Sequence, residues 1–256
     1  MRLKIVLAAA VAVVGGTAQA SSNLVVNGGF EQTTHGPDQI ISNAGLVGWQ
    51  GDGYNFVIAA GHADRGLDAN GISDGYGTIT FWGPGTGSNN GLTPSSPRGG
   101  NFIAMDGAYS GYGDSPTGRP VYQTIATTPG KDYRVNFFWA ANQQNGFTNH
   151  PNFFTGATTE QVAVSLGEQT QYTDVVNNAS HGFVPWRQQS FTFTATAANS
   201  VLSFLAIGTP QGFPPYVFLD GVSAAAVPEP AAWAMLVAGF GLIGVMARRR
   251  TGLVAA

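Results

Sequence analysis

The chain has 256 residues, a formal net charge of −3, 36 glycines, no cysteine and only 10% charged residues. The missing cysteines exclude disulfides, so the fold must rely on core packing, with a metal ion as a possible supplement. Residues 21–226 contain six basic residues and thirteen acids, which gives this segment a formal charge of −7. An acidic segment repels phosphate backbones, which argues against nucleic acid as a partner.

The first twenty residues predict a cleaved signal peptide. Arg2 and Lys4 form a short positive start, and an apolar run follows from Ile5 to Gly16. The small-x-small sequence AQA at residues 18–20 is typical of a signal-peptide cleavage site. The apolar run is too short to span a bilayer. We therefore expect export through the Sec translocon and a mature chain that begins at Ser21.

Residues 21–226 show apolar runs with a period of two, separated by glycine and proline turns, and no convincing helical period. This pattern predicts one all-β sandwich domain with long glycine-rich loops between Gly51 and Gly100 and a long polar loop after Leu166. The predicted strands are Leu24–Val26, Phe56–Ala60, Thr78–Trp82, Asn101–Met105, Val121–Ala126, Tyr133–Ala141, Gln161–Leu166, Trp186–Ala195, Val201–Ile207, Tyr216–Leu219 and, after a turn at Asp220-Gly221, Val222–Ala224. The alternation predicts that Phe137, Trp139, Phe191, Phe193 and Phe204 are buried.

Three segments of this domain are similar to the galactose-binding-like jelly roll, a fold that includes many carbohydrate-binding modules. They are the opening NLVVNGGFE, the central VYQTIATTPGKDYRVNFFWA, and the closing FTFTATAANSVLSFLA with FLDGVSA. The resemblance implies a jelly-roll β-sandwich. It is moderately specific for the fold and weak for the ligand.

The same resemblance implies a structural calcium ion (Ca²⁺) shared by a glutamate after the opening strand and an aspartate in the closing strand. These residues are Glu31 and Asp220 here. Calcium takes six to eight oxygen ligands, so backbone carbonyls or the side chain of Asn27 would also be needed. Alternatively, the two acids cap turns, with Asp220 holding the Asp-Gly bend.

Aromatic and amide side chains in polar, glycine-rich loops are candidates for sugar binding. A sugar ring stacks on an exposed aromatic face while amides bind its hydroxyls. The candidates are Trp82, Tyr109, Tyr112 and Asn142. The alternative for the aromatic residues is packing within long loops.

No catalytic residue is predicted. Gly71–Gly75 match the letters G-x-S-x-G, but the flanks are glycine-rich loop rather than the strand and helix of a nucleophile elbow. The four histidines are scattered without metal-ligand spacing. We expect a protein that is not an enzyme, with a hydrolase as the least favoured reading.

The C-terminal stretch has three parts in fixed order. The triplet Pro228-Glu229-Pro230 comes first, an uncharged apolar run follows over residues 231–247, and Arg248, Arg249 and Arg250 end it. The run predicts a transmembrane helix of about 25 Å, slightly short for a bilayer core of about 30 Å. The interfacial Trp233 and the cytoplasmic preference of arginine fit this assignment. Residues 251–256 are a short tail.

This stretch resembles the PEP-CTERM sorting signal in its PEPxxWAM form. The resemblance implies recognition by an exosortase, a membrane transpeptidase-like protease, and cleavage near the triplet. We therefore expect an exported protein that is anchored transiently in the membrane and then lies in the cell envelope or outside the cell. Its expected activity is binding of exopolysaccharide. The alternative is a structural or adhesive matrix protein without a specific glycan site.

Overall fold

The computed structural model describes residues 22–51, 53–66, 78–108, 119–211 and 213–228, with residues 237, 239–241 and 243 near the C-terminus. The chain divides into two compact units, Ser22–Val227, and Met1–Ser21 with Pro228–Ala256. The predicted signal peptide (1–20) and most of the predicted transmembrane helix (231–247) lie outside the described residues. Among the residues described, no helix has the length and hydropathy needed to cross a bilayer.

The regular secondary structure in the described part of Ser22–Val227 is almost entirely strand. They are β1 (Gln39–Ile40), β2 (Gln50–Gly51), β3 (Asn55–Ile58), β4 (Ile79–Phe81), β5 (Phe102–Asp106), β6 (Val121–Ala126), β7 (Asp132–Phe147), β8 (Thr158–Leu166), β9 (Gln169–Tyr172), β10 (Val176–Asn178), β11 (Phe183–Thr194), β12 (Asn199–Thr209) and β13 (Pro215–Ala226). A short helix, α1 (Ile41–Ala44), and a 3-10 turn, Pro84–Thr86, complete the elements.

The strands form two antiparallel sheets. The seven-stranded sheet has the order β1-β3-β5-β13-β7-β11 with β4 beside β7, and the six-stranded sheet has the order β10-β8-β12-β6-β2 with β9 beside β8. From β5 to β8, and again from β11 to β13, consecutive strands alternate between the two sheets. The predicted all-β jelly-roll sandwich is confirmed.

The main core lies between the sheets, because the inward residues of each strand are apolar. Phe137 and Trp139 of β7 meet Phe204 of β12 there, and Phe137 and Phe204 pack edge to face at 5.2 Å. Their predicted burial is confirmed, as is that of Phe193. Phe191 is only partly buried and packs against the edge of this core.

A second apolar layer covers the outer face of the seven-stranded sheet. Phe102 of β5 and Phe218 of β13 point outward from the sheet, and Ala63 and Phe81 from the segment between β3 and β5 pack with them. The Phe81 and Phe218 rings meet edge to face at 5.1 Å. The glycine-rich stretch predicted as loops therefore closes this part of the sheet from water.

The structure differs from the predicted strands at both ends of the domain. Leu24–Val26 is not a strand, although the Leu24 amide donates to the Ala224 carbonyl at 2.8 Å. The predicted Asp220-Gly221 turn is instead a bulge inside the continuous strand β13. Gly221 has a φ of +61°, and a Cβ on Gly28 would lie 1.9 Å from the Val222 carbonyl oxygen, so both positions require glycine.

Glu160 is a carboxyl group placed in the interior. It points inward from β8, where the Thr158 hydroxyl donates to its Oε1 at 2.5 Å. Burial raises the pKa of Glu160 from 4.5 to about 8, against the lowering effect of the Thr158 hydrogen bond. Between these two pH values the folded chain keeps a proton that the unfolded chain has released. The stability that this provides is present below pH 4.5 and is lost as pH rises toward 8.

We predict that Glu160→Gln flattens the decline in stability between pH 5 and pH 7, because the amide stays neutral. The group alone contributes a slope of about 1.4 kcal/mol per pH unit. Urea unfolding at several pH values measures this slope. The matched control is Glu168→Gln on the exposed turn after β8, which should leave the slope unchanged. Equal slopes for wild type and Glu160→Gln would contradict the prediction.

Candidate functional site

The outer face of the six-stranded sheet is open and carries no charge along its described strands. Directly paired residues point to the same side of a sheet, so the register shows which side chains share this face. We call it the neutral face; it consists of Gln50, Tyr122, Thr124, Thr159, Gln161, Ala163, Ser165, Thr170, Tyr172, Asn177, Val201, Ser203, Leu205, Ile207 and Thr209.

Two tyrosines flank the centre of the neutral face, and we call the strip between them the trough. Ser203 lies between Tyr122 on β6 and Ser165 on β8, and Ala163 lies beside Tyr172 on β9. The two tyrosines are three strands apart, which places them roughly 15 Å from each other. The side chains between the two rings are small except for Leu205, which pairs with Ala163.

Tyr172 is the most prominent side chain on this face, with 57% of its surface exposed. Within the described part of the chain, the hydroxyls of Tyr122, Tyr172 and Ser203 make no hydrogen bond. Other hydroxyls are already paired, as in the 2.7 Å contacts of Ser165 with Thr170 and of Thr159 with Thr209. The trough therefore combines a ring platform with polar groups that are open to a ligand.

Two predicted sugar-binding residues lie in the interior instead. Trp82 is 4% exposed, its ring stacks on His181 at 3.7 Å, and its indole N–H donates to the Phe154 carbonyl at 3.0 Å. Asn142 is fully buried and donates to the Trp82 carbonyl at 3.1 Å. This differs from the expected exposed platform, because the segment between β4 and β5 folds onto β7 rather than into solvent.

Tyr109 and Tyr112, the other two predicted sugar contacts, lie outside the described residues. Tyr122 and Tyr172 of the neutral face are not among the residues that the sequence singled out. Tyr122 lies in a strand whose alternation of apolar and polar residues predicts an outward side chain, so the sequence alone could have indicated its position. Tyr172 lies in the stretch predicted as a polar loop, where the structure has β9 and β10.

The structure brings Glu31 and Asp220 together beside Gly29. A Cβ added at Gly29 would lie 3.9 Å from Asp220 Oδ1 and 4.0 Å from Glu31 Cγ. Asp220 is fully buried; it accepts hydrogen bonds from the Ser96 hydroxyl and, at 2.5 Å, from the Gly221 amide. Burial raises the pKa of Asp220 to about 7, and the nearby Glu31 carboxylate adds to the increase.

Asn27, the third predicted calcium ligand, serves a turn. Its Nδ2 donates to the carbonyls of Gln32 and Val47 at 3.0 Å, and its Oδ1 accepts from the Gln32 amide at 3.0 Å. One lone pair of its oxygen is therefore engaged by the backbone. In the described part of the chain, no group of three or more His, Cys, Asp or Glu residues is placed to hold a metal.

The sorting-signal residues Glu229, Pro230, Trp233, Arg248, Arg249 and Arg250 lie outside the described residues, and Pro228 is the last residue described before them. Residues 226–250 match the PEP-CTERM protein-sorting motif. The match begins at Ala226, the last residue of β13.

The domain is similar to several solved carbohydrate-binding structures. TmCBM61 in complex with β-1,4-galactotriose is 13% identical, with 81% of this chain and all of that chain covered at a TM-score of 0.40. The CBM22-1 xylan-binding domain from Paenibacillus barcinonensis Xyn10C is 12% identical, covering 83% and 99% at a TM-score of 0.38. Family 16 carbohydrate binding module 2 is 14% identical, covering 79% and 99% at a TM-score of 0.32. At these values the similarity carries no information about a ligand. A comparison with curated proteins finds no match.

We predict that Trp82→Ala lowers the stability of the domain by about 3 kcal/mol, because it removes a buried indole and its stacking partner's contact. Chemical denaturation measures the change. The control is Phe153→Ala, which truncates a ring that is 61% exposed and should cost less than about 1 kcal/mol. Native stability in Trp82→Ala would show that the indole is not a packing residue.

Proposed function

We propose, from the premise that residues 226–250 are a PEP-CTERM protein-sorting motif, that the chain is an exported envelope protein that binds polysaccharide through the neutral face. An exosortase recognises the motif, and the predicted helix over residues 231–247 serves as a transient membrane anchor. The sorted product lies in the cell envelope or outside the cell. The expected ligand is the exopolysaccharide that surrounds it.

The observation that carries the binding proposal is an uncharged, hydroxyl-bearing trough with an exposed ring, on a domain of formal charge −7. Acids elsewhere on the domain repel anions, whereas this face has no charge to attract or repel a ligand. A saccharide presents hydroxyls for hydrogen bonds and C–H groups for an aromatic face. Tyr172, Tyr122 and Ser203 offer both kinds of contact.

We predict that Tyr172→Ala weakens binding about tenfold, the loss that corresponds to about 1.4 kcal/mol. The measurement is electrophoretic retention of the full-length protein in gels containing dextran, xylan, galactan or alginate. The outward position of Tyr172 on β9 means that melting temperature should change little.

Phe153→Ala is the matched control for Tyr172→Ala, since it removes an equally exposed ring away from the neutral face. It should be retained like wild type. If Tyr172→Ala and Phe153→Ala migrate identically in every gel that retards wild type, the neutral face is not the binding surface. If no gel retards wild type, the structural or adhesive alternative is favoured.

We also propose that Glu31 and Asp220 hold a structural calcium ion. The support is that two carboxylates lie close together, one of them fully buried, and that their repulsion contributes to the raised pKa of Asp220. A bound cation would offset both the burial and the repulsion of these charges. The carboxylates supply only part of the oxygen set that calcium takes, so backbone carbonyls would complete it.

We predict that EDTA lowers the melting temperature of the wild-type protein at pH 8 by about 5–10 °C, the shift that a bound ion worth about 2–3 kcal/mol produces. Asp220→Asn should remove this sensitivity. Asp106→Asn is the matched control. Burial also raises the pKa of Asp106 to about 7, but the Glu31 carboxylate does not contribute to that increase. The same melting temperature with and without chelator would exclude the ion.

A further inference from the structure

A groove of about 500 Å³ lies on the outer side of the seven-stranded sheet, beside the part that the second apolar layer covers. We call it the polar groove. Its six principal residues are Glu31, Arg98, Asn136, Phe138, Gln188 and Ser223. It is on the opposite sheet from the neutral face, and of its residues only Glu31 has been assigned a role above, as a proposed calcium ligand.

The floor of the polar groove is fixed by strand register. Ser223 of β13 pairs with Asn136 of β7, and Phe138 of β7 pairs with Gln188 of β11. Residues paired in this way point to the same side of the sheet, so two amides, a hydroxyl and a ring share one surface. The bulge after Asp220 shifts the register of β13 between these two rows.

The walls are Arg98 and Glu31. A Cβ added at Gly221 would lie 2.7 Å from Arg98 Cγ and 3.1 Å from Phe138 Cδ2, so the arginine stem lies over the bulge next to the ring. Only glycine at position 221 leaves this space. Glu31 is held in place by the Asn101 amide, which donates to its Oε1 at 3.0 Å.

The polar groups of the groove have spare hydrogen-bonding capacity. The side chains of Arg98, Asn136, Gln188 and Ser223 make no hydrogen bond within the described part of the chain. Arg98 supplies donors only, Glu31 acceptors only, and the amides and the hydroxyl supply both. Arg98 and Glu31 are the charged residues among those that line the groove, and their charges are opposite in sign. The partly exposed Phe138 ring adds an apolar surface between them.

We propose that the polar groove is a second saccharide site, which makes one domain bivalent and able to bridge two polysaccharide chains. The choice of a saccharide as the ligand rests on the proposed function. The location of the site rests on the residues that line the groove. A mixture of donors and acceptors around an aromatic face suits a ligand rich in hydroxyls and C–H groups. Because the two surfaces lie on opposite sheets, one saccharide segment cannot occupy both. Binding at both sites therefore links separate chains or distant parts of one chain, and it raises avidity without new contacts.

The test separates the two sites with matched variants of the full-length protein. The double variant Asn136→Ala/Gln188→Ala removes the two amides of the groove, and Tyr172→Ala weakens the neutral face about tenfold. Arg98→Met is a second groove variant that keeps the stem over Gly221, and Arg134→Met, an exposed arginine on the same strand as Asn136, is its control. The probes are dextran, xylan, galactan and alginate, and hexasaccharides cut from each of them.

Calorimetry with the hexasaccharides should find two sites in wild type and Arg134→Met, and in each site variant one unchanged site and one weakened at least tenfold. A bivalent protein that cross-links polysaccharide makes the mixture turbid. This turbidity should fall at least tenfold when either kind of site variant replaces wild type, while each variant still binds through its remaining site. The contrary outcome is a single site in wild type. If Tyr172→Ala abolishes that site and the groove variants leave it intact, the second site is overturned and the proposed function stands. If only the groove variants abolish that site, the groove is the binding site and the neutral face is not. No heat with any probe would overturn both.

Discussion

The structure depends on the packing of the segment between β3 and β5 onto the outer face of the seven-stranded sheet. Phe81 meets Phe218 there at 5.1 Å and Tyr216 at 4.8 Å, so part of this sheet is buried on both sides. β13 is consequently buried at every position from Pro215 to Asp220. Part of one outer face is therefore covered, whereas the outer face of the other sheet carries the exposed Tyr172 ring. The packed segment covers only part of this outer face of the seven-stranded sheet. The polar groove lies in the part that it leaves uncovered.

Burial also determines the charge state of the interior. Asp106, Glu160 and Asp220 have their pKa values raised chiefly by burial, to about 7, 8 and 7. An acid that is neutral when folded costs stability as pH rises, unless a cation or hydrogen bonds compensate for its charge. Asp220 differs from the other two because Glu31 and Arg98 lie close enough to change its pKa. Glu160, by contrast, is a buried carboxyl whose hydrogen-bond partner is the Thr158 hydroxyl.

The sequence allowed the sheets to be predicted, because alternation in β6, β7, β11 and β12 shows which residues point inward. It could not show which outer face is covered, since that depends on where a glycine-rich segment folds back. Trp82 therefore looked like a loop residue open to solvent, and it is buried against His181. Tyr172 looked like part of a polar loop because β9 is only four residues long and lacks an apolar run. Glu31 and Asp220 lie close together in the structure, and the Asn27 amide donates to the Gln32 and Val47 carbonyls; their role as calcium ligands stays a prediction. The sorting motif was recognisable without any structure, because its triplet, apolar run and arginines follow in fixed order.

The central claim is that a polysaccharide lies across the outer strands of the six-stranded sheet. Hydroxyl-radical footprinting of the full-length protein, with and without saturating hexasaccharide, reports directly on side chains in that trough. The account predicts that oxidation of Tyr172 and Tyr122 falls severalfold on binding, while oxidation of Phe153 is unchanged. Binding that leaves both tyrosines as reactive as in the free protein would contradict it.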